Sequence, residues 1–226
     1  MENAKLNRGA GNMLISAHSR QKNSPGDRNV CSPFVNDPAF QHLKKALTLA
    51  PELSTANASL GVLRLRQGDV AAAKVLLQKA IASDQNNYLA QYYCADALSR
   101  EEMGSDRRVS SYPPESVARM RTALNKAIEV APDFPEPYRL LAFLNLAANT
   151  QLTESVALLK KAIALSPGRL DLSYVLAQVQ MRRQDYKAAR LTLEQVIAGN
   201  PNPQMRAQAE AMLNRVVMEE QNQPKQ

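Results

Sequence analysis

The chain has 226 residues, with 28 Lys and Arg against 21 Asp and Glu and a formal charge of +7. Two Cys exclude a disulfide framework, two His leave little for a histidine metal site or catalytic centre, and no apolar run approaches the roughly 18 residues of a membrane span. Alanine and leucine, both strong helix formers, dominate the sequence, so composition predicts an all-α chain and points away from an enzyme.

Residues 1–36 are polar and broken by Gly9, Gly11, Pro25, Gly26 and Pro33. They read as a disordered tail carrying five basic and two acidic residues. The functional alternative is a basic arm that touches phosphate or anionic lipid. Met13-Leu14-Ile15 is too short for the apolar region of a signal peptide, so the default compartment is the cytoplasm. A secreted or periplasmic location stays open if the chain is a piece of a longer protein. Residues 221–226 read as a second polar tail.

Between the tails the chain repeats. Ala46, Ala80, Ala127, Ala162 and Val196 are spaced by 34, 47, 35 and 34 residues. Pro51, Gln85, Pro132, Pro167 and Pro201 keep the same steps, and so do Gly61, Ala95, Ala142 and Ala177. Three markers in one register define repeats at 54–87, 88–134, 135–169 and 170–203, preceded by a half repeat at 37–50. Residues 204–220 read as a capping helix with Met205, Ala209, Met212, Leu213 and Val216 on one face. A cap is expected because the end of a repeat array otherwise exposes its core. The long step places about 13 extra residues near 103–115, read as a loop between the two helices of the second repeat. Arg107, Arg108 and Tyr112 in that loop are candidates for an accessory contact.

Each marker has a physical cause. The small residues fall where two helices cross closely, and Leu60, Leu77, Leu124, Leu141, Leu159, Leu176 and Leu193 recur at core spacing. The prolines stop the second helix of each repeat, because Pro cannot continue a helix and restricts the residue before it. Gly68-Asp69 and Gln184-Asp185 mark turns between helices.

A period of 34 built on W-x2-L-G-x2-Y, A-x3-F, A and P describes the tetratricopeptide repeat. Residues 37–203 resemble that family through Asn57-x2-Leu60-Gly61, Tyr138-x2-Leu141-Ala142 and Ser173-x2-Leu176-Ala177, each followed by a Leu, a small or β-branched residue and, in two cases, a Pro. The large aromatic of the pattern survives only as Tyr138. The resemblance implies an α-α superhelix, a tetratricopeptide solenoid of about four full repeats that acts as a protein-binding adaptor or scaffold. It implies a concave groove lined by the fifth, ninth and twelfth positions of each first helix. Carried over, those positions supply Tyr92, Asp96, Arg139, Phe143, Tyr174, Gln178 and Met181 as the partner-binding residues. Ala58 and Val62 stand where carboxylate-clamp members of the family carry Lys and Asn, which argues against that clamp. The expected partner is a protein or peptide, with no small-molecule substrate and no cofactor.

Two further readings compete. Segments such as YLAQYYCADALSRE and LLKKAIALSPGR resemble the repeat tails that follow a peptidase-like domain in some bacterial secreted proteins. Nucleic-acid binding would use the basic balance, but residues 37–203 carry 20 basic and 16 acidic residues scattered without a recognised motif. Cys94 reads as a small core residue, and neither His18 nor His42 has a partner at ligand spacing. No HExxH, GxSxG, P-loop or GxGxxG pattern occurs, so no catalytic or metal-binding residue is expected.

Overall fold

Helix-forming runs of Ala, Leu, Lys and Gln are mostly ended by a proline or by a turn that the backbone enters with positive φ. The computed structural model describes residues 38–103 and 112–222, and every regular element among them is an α-helix. These are α1 (Pro38–Leu49), α2 (Ser54–Arg66), α3 (Val70–Ser83), α4 (Tyr88–Met103), α5 (Pro114–Val130), α6 (Pro135–Ala147), α7 (Leu152–Leu165), α8 (Leu170–Arg182), α9 (Tyr186–Ala198) and α10 (Pro203–Asn222). The expected tail at 1–36, Arg107 and Arg108 of the 103–115 loop, and most of the second tail lie outside the described residues. No described helix is long and apolar enough to cross a membrane.

The chain divides into two compact units, Met1–Glu101 and Glu102–Gln226. In the first unit α2, α3 and α4 share a core of Ala58, Leu65, Ala73, Leu77, Ala80, Ala90, Cys94 and Ala97. Five of these eight are alanines, which lets the helices approach closely. Gly61 marks a close crossing: a Cβ there would sit 2.8 Å from Cγ of Leu77. Helix α1 closes one side by packing Phe40, Leu43 and Leu47 against Leu60, Leu63 and Leu76. Lys44 and Arg64 stack over the Phe40 ring at 4.9 and 5.4 Å, adding a cation–π term to that contact.

In the second unit α6, α7 and α8 bury Ala142, Leu159, Leu176 and Val179 together, and Tyr138, Ala162 and Leu172 form a neighbouring cluster. Beyond them α8, α9 and α10 bury Ala177, Ala189, Leu193, Val196, Ala209 and Val216. Met205, Met212 and Leu213 of α10 pack against the same cluster. Burying each such leucine or valine contributes about 1.5–3 kcal/mol. Tyr112, read as part of an exposed accessory contact, is instead buried at 5 % exposure. A Tyr ring followed by two prolines has apolar area to bury as the chain enters α5.

The turns obey one rule. Gly68, Asn149 and Gln184 occupy the same repeat position and have φ of 81°, 52° and 64°. At each, the residue itself donates three residues back, and the next residue donates five back: Asp69 to Arg64, Thr150 to Asn145, Asp185 to Gln180. This is the Schellman closure of a helix C-terminus, which places one residue in the left-handed region. Glycine adopts that region without steric cost, whereas Gln184 does so against its Cβ. Asp69 then caps α3 by accepting from the Ala72 N–H at 3.0 Å.

A second recurrence replaces the missing aromatics. Asn57 Nδ2, Gln91 Nε2 and Tyr138 Oη, all at the large-residue position of the pattern, each donate to the carbonyl six residues back, at 2.8, 3.0 and 2.9 Å. The acceptors Pro51, Gln85 and Pro132 are the helix-stopping positions. Three of the four repeats thus make the same bond at this site, and an amide makes it as well as a phenol.

A third recurrence joins consecutive repeats. Asn87 and Arg169 hold the same repeat position, and each reaches 33 residues back, to Ser54 and Glu136 respectively. In the first unit the link is neutral and buried: Asn87 donates to Ser54 Oγ at 2.8 Å, and Ser54 donates to the Ala80 carbonyl at 2.8 Å. In the second unit it is ionic: Arg169 meets Glu136 at 2.8 Å and grips Asp171 through two bonds of 3.1 and 2.7 Å.

Candidate functional site

Helices α6 and α8 lie directly against each other. Tyr138 of α6 shares a buried cluster with Leu172 of α8, and Ala142 shares another with Leu176. Helical periodicity then puts Arg139, Phe143 and Leu146 on one face of α6, and Tyr174, Gln178 and Met181 on the matching face of α8. All six are half-buried, neither sealed in the core nor fully solvated. Of the sequence-predicted site residues, Arg139, Phe143, Tyr174, Gln178 and Met181 thus share this pair of adjoining helices.

The other two, Tyr92 and Asp96, lie on α4 in the first unit. Tyr92 is only 5 % exposed and packs edge-on against Tyr93, with ring centroids 4.8 Å apart. Asp96 accepts from Arg100 one helical turn on, at 2.7 Å. The equivalent positions of α2, Ala58, Val62 and Leu65, are all buried.

The electrostatics of the α6–α8 face are specific. Nε of Arg139 is buried and makes no hydrogen bond among the described residues. Burial pushes the Asp171 carboxyl up, but the Arg169 hydrogen bonds and the charges of Arg169 and Arg139 outweigh it and hold its pKa below the ordinary carboxylate value. Burial raises the Tyr174 phenol, with a hydrogen bond to Gln178 opposing it, so this hydroxyl stays protonated through the neutral range. Burial and the Asp133 charge raise Tyr138 likewise.

Residues 146–207, from the end of α6 into α10, match the family model described as the tetratricopeptide repeat. That stretch is tetratricopeptide repeat. No curated protein matches the chain. Among solved structures the chain is similar to PilF of Pseudomonas aeruginosa, at 16 % identity over 83 % of this chain and 81 % of that one, with a TM-score of 0.63. It is also similar to YrrB, a tetratricopeptide-repeat protein with an unusual peptide-binding site, at 17 % identity over 76 % and 81 %, with a TM-score of 0.59. TTC0263 of Thermus thermophilus gives 15 % identity over 79 % and 89 %, with a TM-score of 0.58. At these identities the likeness is one of fold, and the fold is the tetratricopeptide solenoid.

Solenoids of this kind expose extended binding surfaces and serve as interaction scaffolds. The tetratricopeptide register also shows what sequence reasoning missed. A cavity of about 440 Å³ opens beside Gln178 and Met181, and α10 supplies Met212, Arg215 and Glu219 to its wall. The repeat period cannot place these three, because α10 lies beyond the last repeat. The only available signal was their own spacing of three and four residues, which puts them on one helical face. Among the described residues no group of His, Cys, Asp and Glu is arranged to hold a metal ion.

Proposed function

We propose that the protein is a scaffold that binds an extended segment or a helix of a partner protein on the open face of α6 and α8, without chemistry of its own. The observation that carries this reading is the half-burial of all six residues at the groove positions of these two helices, beside buried neighbours such as Leu141, Ala142, Leu172 and Ala177. Phe143 and Tyr174 offer rigid apolar area, and Arg139 offers a half-buried guanidinium whose Nε makes no hydrogen bond among the described residues. Aromatic and Arg side chains of this kind dominate binding energy at protein interfaces. A tyrosine held neutral and a depressed carboxylate keep the face chemically constant across physiological pH.

The test is capture of partners by the full chain and by an Arg139→Glu, Tyr174→Ala variant matched for helicity. Partners retained by the native chain and lost by the variant support the α6–α8 face. Partners held equally by both move binding elsewhere and sink the proposal. A Tyr92→Ala variant is a separate arm, and loss there assigns a contact to α4 in the first unit.

A further inference from the structure

We infer that the open side of α1 is a docking site for an acidic amphipathic helix of a partner protein, which completes the half repeat at 37–50. The site belongs to the first unit and goes beyond the reading above. Helix α1 holds the second-helix position of the repeat. At the three core positions of that helix the complete repeats are sealed: Ala73, Leu77 and Ala80 of α3 and Ala189, Leu193 and Val196 of α9 are all 0 % exposed. Their counterparts in α1, Ala39, Leu43 and Ala46, are only half-buried. Spacing puts these three on one side of α1 with the exposed His42 and Leu49, and Leu49 is 79 % exposed. In the first complete repeat it is the first helix that seals this side, Gly61 of α2 lying against Leu77. Among the described residues no first helix precedes α1.

Charge chooses the occupant. Residues 38–66 carry Lys44, Lys45, Arg64 and Arg66 against Glu52 alone, and α1 and α2 themselves contain no acid. Lys45 borders the open side, three residues from His42 and four from Leu49. An acidic helix is favoured there and a basic one is repelled. The chain's own upstream residues fit this requirement badly. One period before α2 lies the stretch 20–32, with Pro25-Gly26 near its centre, a costly pair inside a helix, and residues 1–36 are net basic. The complete repeats set the shape. Helices α2, α6 and α8 each run 13 residues, and the small residue at their crossings is Gly61, Ala142 or Ala177. The ligand is thus a helix of similar length, with Gly or Ala over Leu43, apolar residues along that side and Asp or Glu beside Lys45. Such a helix is recognised through anchors at helical spacing rather than through an extended backbone.

The test selects on the full chain from a displayed library of peptides of about 18 residues, long enough to be helical, with a Leu-bearing framework and randomised central and flanking positions. Hits are remade as fluorescein-labelled peptides, and their affinities are read by anisotropy. The expected result is Gly or Ala at the central position and Asp or Glu at the flanks. Lys45→Glu with Leu49→Glu should weaken binding roughly tenfold or more, and because both residues are exposed the fold is retained. Selection on Lys45→Glu alone should turn to basic helices. Arg139→Glu with Tyr174→Ala should leave these hits bound; hits lost there belong to the α6–α8 face, which overturns this inference and leaves the reading above standing. No hits, hits without the acidic and small-residue preferences, or unstructured poly-glutamate or duplex DNA that binds as tightly, overturn it as well. A native chain that self-associates in sedimentation and becomes monomeric with Leu49→Glu also overturns it, by making a second copy the occupant.

Discussion

The two units solve the same problem of joining repeats with opposite chemistry. In the first, Asn87 and Ser54 lock the junction by a buried neutral chain of hydrogen bonds. In the second, Arg169 does it with two carboxylates at part-exposed positions. The same contrast runs through the groove positions. Ala58, Val62 and Leu65 are short or aliphatic and are buried, whereas Arg139, Phe143, Tyr174, Gln178 and Met181 are long and remain partly open. The shared register fixes the packing between helices and leaves junction and face to vary. A repeat can therefore seal these positions in one unit and leave them partly open in the other.

The largest expected effect tests the shared part. Leu77 and Leu159 hold the same repeat position and are both 0 % exposed. Leu77→Ala and Leu159→Ala should each cost about 2–5 kcal/mol in urea denaturation. A loss well under that range at either site would mean that the two cores are not built alike. Next in size is the junction. Asn87→Ala leaves Ser54 short of a buried partner and should cost about 1–3 kcal/mol. Arg169→Ala, at a junction open to water, should cost under about 1 kcal/mol. Equal losses would break the contrast between neutral and ionic links.

The packing was the legible part of this molecule. The register placed Ala80, Ala95, Ala127, Ala142, Ala162 and Ala177, and each is 0 % exposed. Period alone achieves this, because every repeat must bury the same face against the next. What was not legible is what falls outside or beneath the period. Asn57 and Gln91 look like losses of the family aromatic, yet each makes the hydrogen bond that Tyr138 makes. Asn149 is not among the marked turns, although Asn is the non-glycine residue that most readily enters the left-handed region, and its φ of 52° serves the same closure as Gly68. The burial of Tyr92 and Tyr112 is a tertiary fact that a repeat position does not state. Arg215 and Glu219 enter the cavity from a helix that has no register at all.

Gly61 sharpens the comparison at a smaller scale, since its counterparts Ala142 and Ala177 are alanines. A Cβ at Gly61 meets Leu77 Cγ at 2.8 Å and Cδ2 at 3.0 Å, and Leu77 has no room to retreat. Overpacking costs about 1–3 kcal/mol, while alanine gains about 1 kcal/mol of helix propensity over glycine. Gly61→Ala should therefore give a net loss of about 1 kcal/mol by thermal melting. Adding Leu77→Ala, which removes Cγ and both Cδ atoms, should lessen the penalty of the Gly61 change measured in that background. A stabilised Gly61→Ala would show that the α2–α3 crossing is no tighter than its counterparts.

The smallest expected effect separates the junctions by acid. Asp171 binds its proton less readily in the folded chain than its ordinary value of 3.8 would give. Above about pH 4 it is ionised in both folded and unfolded states, and the stabilisation from Arg169 is fully present. As the pH falls below 3.8 toward the lower folded value, the unfolded chain takes up the proton first, and that stabilisation is lost. The loss is small, because the Asp171 side chain is 40 % exposed and water screens the pair. Urea midpoints measured down through this window should fall more steeply for the native chain than for Asp171→Asn. Asn87→Ala should shift the whole curve down without changing its slope, because neither Asn87 nor Ser54 titrates. An unchanged slope in Asp171→Asn would mean that the ionic junction of the second unit is as indifferent to acid as the neutral junction of the first.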